Sequence, residues 1–334
     1  MTAIHTQHRI GAAIALVTLA FLLSVPLWGS AYLQRSIVEF LYFLALAQIW
    51  NFMAGYAGMF SIGQQAWVGV GAYALIVLAQ DLGLNPFWAV PVTGVIAALM
   101  ALPTSWLLFR LKGAYFAVAS WVIAETIRLA VNADVNWLGG GRGRSLTTMG
   151  QFDRGFREDM TYLLVVGITI VAFGAMVWLL RSRVGLGLMA MRDNAAGAGG
   201  VGVAVNRTRR IVYLAASGLA GIVGALIFMS ALNVRPDAAF SINWVAYPIF
   251  IVIIGGIGTI EGPIIGAIVF YIMREYLDAY EAWSLLAFGL IAIAMMLFAP
   301  KGIWGMIQSR WDIELFPIRR RLPAQLSTKT TQET

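Results

Sequence analysis

Inside an otherwise apolar run, Glu125 and Arg128 stand three residues apart, a spacing that puts both on one helix face within side-chain reach. Either charge alone at mid-membrane costs about 2.5–3.5 kcal/mol on an insertion scale, so the expected state is an ion pair, structural or gating, near the outer end of its span. A proton relay is the sharper alternative, but an acid already matched to an arginine makes a poor titrating carrier. Other side-chain chemistry is scarce. The only histidines are His5 and His8, cysteine is absent, and no GxxxxGK[ST] nucleotide-binding loop occurs. The residues supply no catalytic constellation, no metal-ligand set and no ATPase site, which argues against an enzyme.

The second candidate chemistry belongs to the backbone. Between Asn51 and Gln65 the chain packs Gly55, Gly58 and Gly63 together with Asn51, Ser61 and Gln64; between Ile254 and Ala267 it packs Gly255, Gly256, Gly258 and Gly262 with Glu261 and Pro263. Glycine costs about 1 kcal/mol per site in a helix interior. Non-helical backbone at membrane depth survives only where protein or a water-filled cavity satisfies it. Both stretches are therefore candidate helix breaks lining a translocation pathway. The bland reading is close helix packing at Gly55/Met59 and Gly258/Gly262, and the two readings are compatible. Glu261 is expected at the inner mouth, as a helix cap or a gate residue.

The elements that must carry these residues follow from composition. The chain has 334 residues, 60% of them AVILMFWYC and 12% charged, with a mean hydropathy of +0.79. A soluble domain carries about 25% charged residues, so a soluble globule is excluded. Apolar runs predict spans over 10–29, 36–53, 64–80, 87–109, 114–132, 160–180, 211–231 and 284–299, plus two segments between Trp244 and Tyr271 divided at the second glycine cluster. The first run could also be read as a signal peptide cleaved near Gly29–Ala31, but it exceeds the length of such a core. The fold class is thus an all-α polytopic membrane protein of about ten helices, with two glycine-rich broken-helix hairpins and both termini cytoplasmic. Residues 1–9 form a cytoplasmic N-terminus, 10–299 the membrane domain with an outer loop at 133–159 and an inner loop at 181–210, and 300–334 a cytoplasmic tail containing Arg319, Arg320 and Arg321.

Charge placement supports this topology. Fifteen Lys and Arg fall on the inner side and seven on the outer, as cytoplasmic loops require. The pI of 9.9 then reflects topology and attraction to anionic membrane lipid rather than a nucleic-acid partner. Six of the inner arginines lie in 181–210. There Arg183, Gly185, Met189, Arg192, Asp193 and Asn194 form a short amphipathic segment, with Asp193 or Asn194 placed to cap a following helix. Such a loop is either simply solvated or a docking element for a cytoplasmic partner.

Four segments in order, N-x3-GYAG-x2-SIG-x7-GAY (Asn51 to Tyr73), RLKGAYFAVAS-x4-ETIR (Arg110 to Arg128), SRVG-x4-AMRDN-x7-G (Ser182 to Gly202) and GGIGTIEGPIIGA (Gly255 to Ala267), together resemble the LivM-type permease subunits of ABC importers for branched-chain amino acids and related solutes. The resemblance implies a homologous permease partner, two cytoplasmic ATPase subunits that bind the ATP, so that this chain carries no cofactor, and an extracytoplasmic solute-binding protein, all at a bacterial cytoplasmic (inner) membrane. By matching position it assigns Arg192, Asp193, Asn194 and Gly202, with Arg183 beside them, to the ATPase-coupling loop. It places the two glycine clusters in the broken-helix motifs. Gln64 stands where the family often has histidine, Trp67 where phenylalanine is usual and Ala195 where glutamate is usual. Gly197, Gly199 and Gly200 predict a short coupling helix, and the extra Arg142 and Arg144 of the outer loop suggest docking or specificity. The rival reading is a stand-alone secondary carrier or channel. The solute is open among branched-chain amino acids, urea, short amides and aromatic acids.

Overall fold

The computed structural model describes residues 2–277 and 281–311; the three tail arginines at 319–321 lie outside the described residues. The chain is built from α1 (Thr2–Trp28), α2 (Ala31–Asn51), α3 (Gln65–Ile76), α4 (Pro86–Leu108), α5 (Ala114–Ala133), α6 (Arg154–Arg181), α7 (Arg183–Asp193), α8 (Ala195–Gly200), α9 (Val205–Ala231), α10 (Pro236–Ala239), α11 (Asn243–Gly255), α12 (Gly262–Leu277), α13 (Glu281–Phe298) and α14 (Gly302–Trp311). Seven helices among the described residues are long and apolar enough to cross a membrane, and Ala15–Trp28 forms a shorter apolar helix. This is an all-α polytopic protein. Seven rather than the expected ten are found because α3, at 12 residues, and α12, at 16, are too short to cross as continuous α-helices and the apolar part of α1 is only Ala15–Trp28.

Local signals fix the helix starts. Ser30, Asn85, Asp153, Ser182 and Asn194 each accept a backbone N–H from the first turn of the helix that follows, and Pro86 opens α4 at a position where no N–H is needed. The expected capping by Asn194 is present, and the glycine-rich helix it starts is only six residues long. Two stretches expected to be loops are shorter than read: α6 already begins at Arg154, and α7, α8 and the start of α9 occupy most of 181–210. The α5–α6 connection also adds a small antiparallel ladder, β1 (Arg144–Ser145) with β2 (Asn233–Val234).

The most extensive packing joins α9 to α4 and α3. It is a seam of small residues. A Cβ on Gly71 would overlap the Gly221 carbonyl, and one on Gly224 would overlap the Val68 carbonyl. Backbones meet this closely only where side chains are absent, and in a membrane such contact supplies the attraction that a hydrophobic effect between helices cannot. Helices α2 and α9 are the buried centre, whereas α5 and the segment after Leu286 lie at the periphery.

Candidate functional site

The last turns of α2 are buried although they carry Gln48 and Asn51. Beyond Asn51 the helix widens for five residues, Phe52–Tyr56, into π geometry before the chain turns through 57–64 to α3. A wider turn and a following loop free backbone groups that cannot reach water, and each needs a partner. The first break finds them close by. Trp50 Nε1 donates to the Ser61 carbonyl at 2.8 Å, Gln64 Nε2 to the Leu46 carbonyl at 3.1 Å, and the Ile62 N–H donates to Ser120 Oγ of α5 at 2.9 Å. Gly63 sits against the Ser120 carbonyl with no space for a Cβ.

The second break finds its partners on the first. Asn51 Oδ1 accepts the Gly258 N–H at 2.8 Å, Asn51 Nδ2 donates to the Thr259 carbonyl at 2.7 Å, and Gln48 Nε2 donates to the Ile260 carbonyl at 2.7 Å. Gly256 and Gly258 hold φ of +130° and +75°, a region closed to most side chains. The two glycine clusters, about two hundred residues apart in sequence, are one packed knot. The α12 head is capped by Thr259, whose hydroxyl accepts the Gly262 N–H at 3.0 Å and donates to the Gly256 carbonyl at 2.8 Å. Glu261 is buried beside it.

The α7 terminus closes the same knot. Arg192 Nη1 donates to the Gly55 carbonyl at 3.1 Å, its Nε to Asp193 Oδ1 at 3.1 Å, and its side chain lies over Gly58. Arg183, Asp193, Asn194 and Gly202 are exposed on the surface around it, while Leu188, Met191 and Ala198 anchor α7 and α8 from below. Of the pathway candidates, Asn51, Gly55, Ser61, Gly63, Gln64, Gly255, Gly256, Glu261 and Gly262 are buried in the knot, and Gly58 is exposed. Gln48, Ser120 and Thr259 were not singled out from sequence; the spacing of Gln48 and Asn51, two amides three apart on an apolar helix, is the signal that points to the first.

Toward the other end of α2, about 18–26 Å from Asn51 along the helix axis, the surface is charged. Arg35 pairs with Glu158 at 2.5 Å, Glu39 with Arg274 at 2.5 Å, and Gln34 Nε2 donates to Asp159 at 3.2 Å. A cavity of about 670 Å³ opens here, its wall including Arg35, Glu39, Tyr42, Arg157 and Ser230 and none of the glycine-break residues. In the segment between α5 and α6 Arg144 grips Asp81 through Nη1 and Nη2, at 2.8 and 2.6 Å, and Trp137 Nε1 donates to the same carboxylate at 3.1 Å. The Arg144 hydrogen bonds hold the Asp81 carboxyl below its ordinary value. Arg144 is thus a loop anchor, while Arg142 is exposed. Glu125 and Arg128 meet at 2.5 Å as their spacing requires, and Arg128 also reaches Asp237 of α10 at 2.6 Å. Among the described residues no group of three or more His, Cys, Asp or Glu is arranged to hold a metal.

Residues 32–300 match the family described as the permease component of the branched-chain amino acid transport system. The chain is 24% identical over 289 residues to the high-affinity branched-chain amino acid transport system permease protein LivM of Escherichia coli K12, covering 79% of this chain and 68% of that protein. It is 25% identical over 252 residues to a probable LivM of Methanocaldococcus jannaschii, covering 71% and 69%. With the probable LivH permease of the same archaeon it shares 24% over 281 residues, covering 74% of this chain and 83% of that one. No solved structure matches.

Proposed function

This chain belongs to the branched-chain amino acid transport permease family, and from that premise we propose that it is the LivM-type membrane subunit of an ATP-driven importer in a bacterial inner membrane. It supplies one wall of the solute pathway, a homologous permease supplies the other, and two cytoplasmic ATPases bind the ATP. A solute-binding protein delivers the cargo from outside. The α7–α8 end faces the cytoplasm, both termini lie on that side, and α1, α3 and α12 bring the seven long spans to ten membrane-embedded segments, the broken hairpins among them. The cargo is a branched-chain amino acid; urea, a short amide or an aromatic acid is the competing solute.

The observation that carries this reading is the contact of Arg192 with Gly55 inside the knot. An ATPase that displaces α7 pulls on the Gly55 carbonyl, and Asn51 passes the pull from the first break to the Gly258–Thr259 turn of the second. Ser120 passes it to α5 through Ile62. A hydrogen bond from a charged donor contributes about 1.5–3 kcal/mol, the same size as a typical coupling free energy between two sites of about 1–3 kcal/mol. The link is therefore strong enough to bias a two-state pathway and weak enough to be remade in each cycle. The test is uptake of labelled leucine by cells carrying the complete transporter, with and without this subunit. Leucine uptake that depends on the subunit supports the assignment; dependence for another solute and none for leucine removes the amino-acid cargo.

A further inference from the structure

The helices with outward faces differ in what they show. On α4 the outward residues include Trp88, Val92, Val95, Leu99 and Trp106, and on α13 Leu286, Leu290, Ile293 and Leu297; both faces are apolar over their length, as hydrocarbon requires. Helix α5 is as open, with 22% of its span buried, but its outward stripe is mixed. Val118, Val122 and Leu129 are exposed on one face with Glu125, whose side chain is 41% exposed, and Thr126 beside it. Glu125 lies about 16 Å from the Ala114 end and about 12 Å from the Ala133 end, inside the span but in its Ala133 half.

Pairing does not make this stripe fit for lipid. Arg128 stands between two carboxylates, Glu125 and Asp237, so the cluster keeps a net negative charge, and Asp237 is 80% exposed. Hydrocarbon solvates neither that charge nor the open edge of Glu125, and ionisable groups in spans face a protein interior or a water-filled cavity. We infer that the outward face of α5 is turned toward a water-filled solute passage, closed from the far side by the second permease chain, with Glu125 and Thr126 on its wall. This rests on the transport reading and adds to it the surface that meets the solute. It also gives the Ser120–Ile62 contact a consequence: the first break is fastened to the helix whose opposite face lines the passage.

The chain contains no cysteine, so an introduced thiol is the single one on this subunit, and its labelling is read on the separated subunit. In the complete transporter in membranes, Val122→Cys, Thr126→Cys and, as the lipid-facing control, Val95→Cys are exposed to a membrane-impermeant, sulfonate-bearing methanethiosulfonate. All three positions are open, so the substitutions leave packing intact. Only the thiolate reacts, and an apolar setting suppresses it by about tenfold for each pKa unit. Val122→Cys and Thr126→Cys are expected to react at least about tenfold faster than Val95→Cys on that ground, and labelling of Thr126→Cys is expected to lower labelled-leucine uptake. Rates as slow as the control at both positions overturn the inference. So does disulfide or bifunctional cross-linking of Thr126→Cys to the second permease with no reagent access, which means a dry interface. Subunit-independent leucine uptake with reactive thiols removes the amino-acid reading and leaves the wetted face standing; subunit-dependent uptake with unreactive thiols does the reverse.

Discussion

The carboxamide of Asn51 accepts the backbone N–H of Gly258, 207 residues further along the chain, at 2.8 Å. The same side chain donates to the carbonyl of the next residue, Thr259, at 2.7 Å. A carboxamide has one acceptor and one donor group in fixed geometry, and the turn offers one of each. Asn51 is completely buried, so water cannot substitute.

Replacing it therefore orphans two buried backbone groups. Asn51→Leu is expected to destabilise the protein by about 1–3 kcal/mol for each group left unpaired. Asn51→Asp keeps an acceptor for Gly258 but sets a second carboxylate oxygen against the Thr259 carbonyl at a fully buried site, and is expected to be at least as destabilising. Thermal unfolding of the purified complex in detergent measures both, and an Asn51→Leu protein as stable as wild type would remove the knot from the account of stability.

The glycine seam predicts a contrast within one residue type. Gly71→Ala and Gly224→Ala force backbones apart where α9 meets α3, at a cost of about 1–3 kcal/mol of overpacking. Gly167→Ala on α6 meets no atom within 4 Å and is expected to be neutral or slightly stabilising through better helix propensity. The three midpoints in one thermal series check the order.

Arg192 is expected to separate coupling from folding. Its side chain is 37% exposed and glutamine keeps an amide donor, so Arg192→Gln is expected to cost about 1 kcal/mol of stability, the difference between a charged and a neutral hydrogen bond. It does remove the charged donor on Gly55. Assembly with the ATPases should persist, while the stimulation of ATP hydrolysis by loaded solute-binding protein, and uptake with it, should fall by about tenfold or more, the equivalent of about 1.4 kcal/mol. Equal stimulation in variant and wild type would show that the push travels elsewhere.

The connection between α5 and α6 carries a pH signature. Hydrogen bonding to Arg144 lowers the folded-state pKa of Asp81. Its contribution to stability is therefore complete above the unfolded value of about 3.9 and is lost as pH falls through the lower folded value. Hydrogen exchange across 133–153, corrected for intrinsic rate, is expected to stay flat from pH 8 to about 5 and to rise only in stronger acid. Asp81→Asn should show the faster exchange already at neutral pH.

Much of the fold was legible because its rules are local. Span positions follow from apolar run length, the helix breaks from glycine, the Asn194 cap from side-chain chemistry next to a helix start, and the Glu125–Arg128 pair from a three-residue spacing. The misreadings are local too: a polar or charged first turn, as at Arg154 of α6, looks like loop although it is helix above the apolar run.

Composition, run length and glycine placement are enough to establish a polytopic membrane protein with two interrupted helices and a basic, amphipathic segment between its later spans. They could not determine which way any span turns. In water a helix shows its buried side by being apolar on one face only, but in lipid the face toward protein and the face toward hydrocarbon are both apolar, so the period carries no orientation. Tertiary structure decided that Asn51 meets Gly258, that Arg192 reaches Gly55, that Gly71 and Gly224 seat α3 on α9, and that Glu125 looks outward. Each depends on groups distant in sequence satisfying one another where neither water nor lipid can.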